Sequence, residues 1–490
     1  MSRIHWLLLG VILLVYLVAG TLYATLTPKW QAPDEPAHYN YIRHLANEAT
    51  FPELVAGCYN QAYLNELTSR RFPPELPIDS VCYEFHQPPL YYLLATPLFI
   101  LSSGSLLALR LLSVTLGSGV VLLAFVIGQT IFPSKLTIAF GTMAFVAFVP
   151  MHVAILASVN NDALAELVLA TLLLLMIRRL QSVDELSVKD NLLLGLLLGL
   201  GLVTKTTVYI AVPLTVLTLW LTEAQRQDTE QTRFDWSHLL KQGATIYGLA
   251  LIIALPWYIR NINLYGSFDV LGLGRHDEIV IGQLRTLDFL AEVGGATYAS
   301  NFITTTFHSF WGQFGWMAVP MDNRTYTLLT VLTLIALGGL VALFITRRLR
   351  LSVPGSVLLL MAMAVLLMFL AYGWYNITFV QFQGRYLFPA LIPLGLFFTL
   401  GLSEALREER TWWLAGGLTL TLVWFVVTGL SSGLDKWAVL IIGLALGLVI
   451  ARVMITPYWP KLTSLLLAAC YAGLALLTLV SPFWFVVPYL

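Results

Sequence analysis

Long apolar runs separated by short polar segments recur from one end of the chain to the other. A helix needs about 17–25 mostly apolar residues to cross a bilayer. Runs of roughly that kind fall at 4–26, 106–131, 137–156, 162–180, 191–204, 207–222, 243–259, 326–346, 353–372, 386–402, 412–430, 437–455 and 462–480. The pattern predicts an all-α polytopic membrane protein of about thirteen spans. The fifth and sixth runs are short and Lys205 lies between them, so a single long bent helix is the alternative there. Loop charge decides between the two, because short cytoplasmic loops collect Lys and Arg whereas loops longer than about 60 residues are exempt. Beyond the sixth run, the loops on one side hold Arg226, Arg233, Lys241, Arg347, Arg348, Arg350, Arg407, Arg410, Arg452 and Lys461, and the short loops on the other side hold only Arg385 and Lys436. Ten against two favours two separate spans, since merging them would invert every later loop.

On this layout the amino terminus is cytoplasmic, and Phe483-Trp484-Phe485 lies on the outer side of a plasma (inner) membrane. A cleaved signal peptide is the competing reading of the first span, since Arg3 precedes it and small residues occur near Ala24. Its apolar run is long for that role, and either way the following segment is outside. The whole chain, 1–490, reads as one transmembrane domain with two long outward loops. The first, 27–105, holds eight acids, namely Asp34, Glu35, Glu48, Glu53, Glu66, Glu75, Asp79 and Glu84. The second, 260–325, carries Arg260, Arg275, His276, Asp277, Glu278, His308 and Asp322 and is the expected cover of a site. Both are rich in aromatics, which favours lying at the membrane surface.

Composition removes other classes. With 58% hydrophobic and 11% charged residues among 490, the chain lacks the polar side chains that a soluble multi-domain enzyme needs for its surface. Its 27 basic and 27 acidic residues balance, which leaves no case for nucleic acid as a partner. Cys58 and Cys82 share the first loop, where they either pair as a disulfide on an oxidising face or stay as buried thiols. Cys470 lies in the last span.

Four short segments carry the candidate chemistry. Pro33-Asp34-Glu35-Pro36-Ala37-His38 directly follows the first span. Two adjacent carboxylates fixed by prolines at a membrane surface suit a substrate, a proton or a metal. Helix capping by Asp34 or Glu35 ahead of Pro36 explains the same residues, and the two readings are compatible. The loop closes with His86-Gln87-Pro88-Pro89-Leu90-Tyr91-Tyr92, by itself a proline-stiffened entry into an interfacial helix. Asn160-Asn161-Asp162, with Glu166 on the same helix face, lies level with that loop and is equally well explained as an Asx cap. Lys205 and Arg385 are lone cations at the outer ends of apolar runs, within Thr204-Lys205-Thr206 and Gln383-Gly384-Arg385-Tyr386. They either snorkel to headgroups or hold a lipid phosphate.

Together these segments resemble the polytopic GT-C glycosyltransferases, with protein mannosyltransferases and lipid A aminoarabinose transferases as the nearest likenesses. The form Pro-Asp-Glu-Pro-Ala-His, with a late Gln-Gly-Arg-Tyr-Leu-Phe-Pro, is also similar to a large group of bacterial membrane proteins placed in that superfamily. The likeness is specific over about 30–105, supportive at 158–206 and 381–393, and little more than hydropathy elsewhere. Relatives often carry a charge just before the Pro-Pro, where this chain has Gln87, which shifts the expected phosphate contact to His86.

The resemblance implies a polyprenyl-phosphate-sugar lipid donor and a lipid, glycan or protein acceptor, with transfer by inversion at the outer face among membrane lipids. A weakly nucleophilic acceptor needs a carboxylate base, for which Asp34 is the candidate, with Glu35 orienting the acceptor or sharing the proton. Two adjacent carboxylates would raise one pKa towards working pH. Lys205 and Arg385, and more weakly His86, would stabilise the departing phosphate. His38 and Asp162 would bind sugar hydroxyls, and Tyr91, Tyr92 or Trp311 would stack on a sugar ring or prenyl chain. Some relatives use a divalent metal; Asp34 and Asp162 would be its ligands here, although no spacing is diagnostic. A polyprenyl-linked glycan polymerase or ligase shares the chemistry but relies on late-loop Arg and His. A lipid or glycan transporter would place charges near mid-membrane in repeated halves, whereas here they cluster at one face.

Overall fold

In a computed structural model, the described residues are 2–182, 187–230, 233–266, 268–346, 354–433, 435–455 and 462–490, with the side chains of 229, 230, 428, 431 and 432 excluded. Within a lipid environment every backbone polar group must be satisfied internally, and the apolar runs accordingly form helices. Those of the amino-terminal half are α1 (Arg3–Leu26), α2 (Glu35–Glu48), α3 (Gln61–Ser69), α4 (Leu90–Leu101), α5 (Leu106–Ile131), α6 (Leu136–Ala147), α7 (Pro150–Leu156), α8 (Asp162–Gln181), α9 (Val188–Leu202) and α10 (Ala211–Glu230). There follow α11 (Trp236–Tyr265), α12 (Leu273–Ile279), α13 (Thr286–Val293), α14 (Gly295–Trp311), a two-stranded ribbon of β1 (Gln313–Phe314) and β2 (Val319–Pro320), α15 (Asn323–Ile345), α16 (Gly355–Thr378), α17 (Leu391–Ala405), α18 (Thr411–Ser432), α19 (Lys436–Ile455) and α20 (Leu462–Ser481). The strands are antiparallel, with Gln313 opposite Pro320 and Phe314 opposite Val319.

Contacts between helix ends fix the direction of each passage. Arg110, near the start of α5, donates to the Ala24 and Thr27 carbonyls where α1 ends. Arg179, near the end of α8, reaches Asn191 near the start of α9 at 2.7 Å. Glu223, near the end of α10, meets His238 near the start of α11 at 2.9 Å. At these contacts successive long helices run in opposite directions between two ends of one bundle, and each of the thirteen predicted runs coincides with a helix or, at 137–156, with a pair of helices. Among the described residues ten helices are long and apolar enough to cross a membrane, or eleven with the bent pair α6 and α7. α9 and α10 are separate passages, which removes the single-bent-helix alternative. The run at 137–156 is bent by 63° rather than straight, because Pro150 lacks the N–H that would continue α6.

Lys205 and Arg385 lie at the same end of the bundle as Asp34. Arg226, Arg233, Lys241, Arg407, Arg410 and Arg452 lie at the opposite end, whereas Arg347, Arg348, Arg350 and Lys461 fall outside the described residues. The two long loops meet over the Asp34 end. Arg275 Nε donates to the Leu54 carbonyl at 3.2 Å, and the Leu54 N–H donates to Tyr265 Oη at 3.1 Å. A Cys58–Cys82 disulfide closes the middle of the first loop.

Candidate active site

Two ion pairs, each joining segments far apart in the chain, organise this end of the bundle. Asp34 occupies the cap position of α2 in the left-handed region (φ 65°), yet its side chain caps nothing. Its Oδ1 instead accepts from Tyr83 Oη at 2.7 Å, and its Oδ2 accepts from Arg385 Nη2 at 2.7 Å. Burial pushes the Asp34 carboxyl up, but Arg385, His38 and the Tyr83 hydroxyl more than offset it, so its pKa lies below the ordinary carboxylate value. Arg385 is aimed by its neighbours: Gln383 Oε1 accepts from its Nε at 2.7 Å. A Cβ on Gly384 would lie 2.3 Å from the Thr306 carbonyl oxygen, so only glycine lets this turn rest against α14. There the Gly384 N–H donates to Ser309 Oγ at 2.7 Å.

The second pair is Lys205 Nζ to Asp162 Oδ1 at 2.6 Å. Asn160 Oδ1 accepts the Asp162 N–H at 2.9 Å, so the Asx turn belongs to Asn160 and leaves the Asp162 carboxylate for Lys205. Asn161 donates to Gln87 Oε1 at 3.3 Å, tying this turn to the end of the first loop. Both cations stand where a 3-10 turn opens a passage, at Thr206–Ile210 and Gly384–Ala390. Neither snorkels: each meets a carboxylate.

Asp34, His38, His86, Asp162, Lys205 and Arg385 all line one cavity of about 580 Å³. Its lining also includes apolar side chains, with Ile210 and Pro213 from the α10 side and Leu367, Met368, Ala371 and Trp374 from α16. Leu273, His276 and Asp277 from the second loop border it as well. His86 Nδ1 lies 3.0 Å from the Tyr83 carbonyl, which can only accept, so this nitrogen carries the proton. Burial first, then the nearby His276, lowers the His86 pKa to about 3. The ring is therefore neutral with its free nitrogen an acceptor, which corrects the expectation that it serves as a phosphate cation.

Several other expected residues are placed differently. Glu35 is fully buried and does not line the cavity. Its carboxylate takes both Nε (2.7 Å) and Nη2 (2.6 Å) of Arg110, together with the N–H groups of Val159 and Trp30. Its carboxylate is thus held away from the cavity, and the expected upward shift is replaced by a downward one at Asp34. Tyr91 and Tyr92 are buried, the first on Ser113 Oγ and the second against Tyr41 at 3.7 Å between ring centroids. Trp311 is buried among Phe145, Phe310 and Phe398. None of the three borders the cavity; its aromatic wall is Tyr209, Tyr372, Trp374, Tyr375, Phe379 and Tyr386. His38 is buried behind Asp34, its Nδ1 2.8 Å from Tyr92 Oη.

Sequence reasoning did not single out Arg110, Tyr83 or Glu84 as part of this arrangement. Arg110, a charge one turn inside an apolar span, was the signal available for the first. Glu84 borders the cavity, and its buried Oε2 has no hydrogen-bond partner. Among the described residues no cluster of three or more His, Cys, Asp and Glu has metal-binding geometry. Asp34 and Asp162, the expected ligands of a divalent ion, each face a cation instead.

One solved structure shares this fold, and others are similar to it in part. ArnT from Cupriavidus metallidurans, in its apo state, superposes with a TM-score of 0.51 at 15% identity, covering 97% of this chain and 76% of that one. The Archaeoglobus fulgidus oligosaccharyltransferase tethered to an acceptor peptide gives 0.47 at 15% identity, covering 96% of this chain and 55% of its own. The same organism's oligosaccharyltransferase AglB, in complex with an inhibitory peptide and a dolichol-phosphate, gives 0.47 at 14% identity, covering 94% and 56%. The chain thus spans little more than half the length of these oligosaccharyltransferases. No curated protein matches it in sequence. The chain shares with ArnT a multi-pass, all-α membrane fold. A family model matches residues 83–394, and the chain belongs to that family, the predicted membrane proteins of DUF2142.

Proposed function

We propose that the chain is a glycosyltransferase that moves a hexosyl or pentosyl group from a polyprenyl-phosphate donor to an acceptor hydroxyl or amine, at the outer face of the plasma membrane. The observation that carries this reading is the mixed lining of the cavity. It combines a carboxylate base candidate and two cations with apolar side chains of the α10 side and α16 that suit a prenyl chain. The basic residues at the far end of the bundle support a cytoplasmic orientation for that end and an outward one for the cavity.

The two ion pairs define the resting site. A donor phosphate entering between Lys205 and Arg385 competes with Asp162 and Asp34 for them, since phosphate offers the guanidinium a bidentate partner. Drawing Arg385 away leaves Asp34 without its main stabilising charge, so the carboxylate becomes a stronger base as the donor arrives. Asp34 then takes the acceptor proton while the acceptor oxygen or nitrogen attacks the anomeric carbon from the face opposite the phosphate. The bond from that carbon to the phosphate oxygen breaks, its electron pair leaves on the polyprenyl phosphate, and Lys205 and Arg385 stabilise the added charge. Asp162, released from Lys205, and the neutral His86 accept hydrogen bonds from sugar hydroxyls. Glu35 holds the turn that presents Asp34.

The test is binding of a synthetic polyprenyl phosphate to the purified chain in lipid nanodiscs. Arg385→Ala and Lys205→Ala should each weaken binding about 10–100-fold, the range for a hydrogen bond to a charged group. Asp34→Asn should bind at least as well as the parent. Unchanged affinity in Arg385→Ala would remove the phosphate role and with it the proposed reaction.

A further inference from the structure

A second cavity, of about 660 Å³, takes its lining from the same turn that carries Asp34. It shares no lining residue with the first. Gln31, three residues before Asp34, is part of its wall, with Asn65, Thr68, Ser69 and Arg71 from the α3 region and Trp316 from the tip of the ribbon. Tyr489 adds a further ring. Gln31 is 3% exposed and its Nε2 has no hydrogen-bond partner. A buried donor left unmatched is destabilising unless something else accepts from it.

The backbone around this cavity is held in an unusual state. Arg71 (φ 60°), Phe72 (φ 53°), Trp316 (φ 53°) and Met317 (φ 69°) are non-glycine residues in the left-handed region, and they form two adjacent pairs. The Phe72 and Trp316 rings stack with centroids 6.0 Å apart, so the two strained pairs brace each other. Strain of this kind persists where surrounding structure enforces it, and it clusters at ligand sites. The Trp316 Nε1–H donates to the Trp30 carbonyl at 2.8 Å, which links the ribbon to the residue just before Gln31.

Amides and hydroxyls that both donate and accept, one guanidinium, and flat aromatic surface form a set suited to a hydroxyl-rich ligand. Hydroxyls pair with Gln31, Asn65, Thr68 and Ser69, and the carbon face of a sugar ring lies on an aromatic plane. Ala318, Val319, Pro320 and Leu490 also line the cavity. We infer that the second cavity binds a glycan. This glycan-binding surface does not rest on the proposed transfer.

The experiment uses the full chain in nanodiscs on a printed array of neutral and acidic oligosaccharides, with synthetic polyprenyl phosphate binding measured on the same preparations. The parent should retain at least one oligosaccharide. Trp316→Ala, Gln31→Leu and the solvent-side Asn65→Ala should each weaken retention roughly tenfold, as aromatic and polar anchors do. All three should leave polyprenyl phosphate affinity unchanged. Asn65→Ala keeps the test open should Trp316→Ala fail to fold. Retention insensitive to every one of these substitutions, or no oligosaccharide retained while polyprenyl phosphate still binds, overturns the second cavity as a glycan site and leaves the donor reading standing.

Discussion

Asp34 and Glu35 are adjacent carboxylates with the same intrinsic chemistry, and the structure gives them opposite circumstances. Glu35 is fully buried, and its Arg110 partner also holds the Ala24, Thr27 and Pro28 carbonyls where α1 ends. Asp34 has its side chain about a quarter exposed on the cavity, and its Arg385 partner arrives from the late Gln-Gly-Arg turn. One pair has nowhere to go and fastens the end of the first helix. The other borders open space and is the one exchanged in the proposed reaction. The difference shows that charge density at a membrane surface does not by itself locate chemistry; what matters is which charge faces the cavity.

The largest effect that can test this contrast is on turnover. Asp34→Asn should reduce transfer about 10²–10⁴-fold, the usual weight of a general base, while the protein folds and binds donor. Assay of the purified variant with a lipid-linked sugar checks it, and near-parental turnover would remove Asp34 as base. Glu35→Gln should act through stability instead. Removing one member of a buried ion pair leaves Arg110 without its counter-charge and destabilises by about 3–5 kcal/mol. A marked fall in melting temperature is expected, with the remaining folded fraction still turning over. If Glu35→Gln melts like the parent but is inactive, the division of labour between the two carboxylates is reversed.

The contrast was only partly legible in the sequence. Apolar periodicity gave thirteen runs because membrane spans must be long and continuous, and the split at Lys205 was readable from loop charge alone. The bend before Pro150 was missed because total apolar length says nothing of direction. Lys205 and Arg385 were readable as isolated cations, but not as partners of Asp162 and Asp34, since pairs separated by 43 and 351 residues leave no local trace. Tyr91, Tyr92 and Trp311 looked like ligand-facing aromatics because sequence gives residue type and rough depth but not rotation about a helix axis. In the fold, all three are packed into the protein interior.

Acidity separates the cavity from its supports in another way. His86 is buried and neutral, with its pKa lowered to about 3. The unfolded chain takes up a proton at an ordinary histidine value near 6.5, which the folded state refuses. The contribution from His86 is therefore fully present above about pH 6.5 and is lost as pH falls towards 3, by at most about 1.4 kcal/mol per pH unit. Melting curves at pH 7 and pH 5 should show a smaller loss for His86→Gln than for the parent. Equal losses in the two proteins would mean that the ring is not held neutral.

The finest test is the hydrogen bond from Tyr83 to Asp34, 2.7 Å long and formed with the oxygen that Arg385 does not use. It is one of the contacts holding the Asp34 pKa down, so Tyr83→Phe should raise that pKa while leaving Arg385 in place. A hydrogen bond to a carboxylate contributes about 1.5–3 kcal/mol at most, and partial exposure of Asp34 to water reduces this, so the shift should be about one pH unit or less. The acid limb of kcat/KM reports the free enzyme, where Asp34 is still paired with Arg385, and it should move to higher pH in the variant. The acid limb of kcat reports the donor complex. If donor phosphate has already drawn Arg385 away, that limb should stand at higher pH than the one for kcat/KM even in the parent. Coincident limbs in the parent would show that the Asp34–Arg385 pair survives donor binding, and the exchangeable pair would then be as fixed as its neighbour at Glu35.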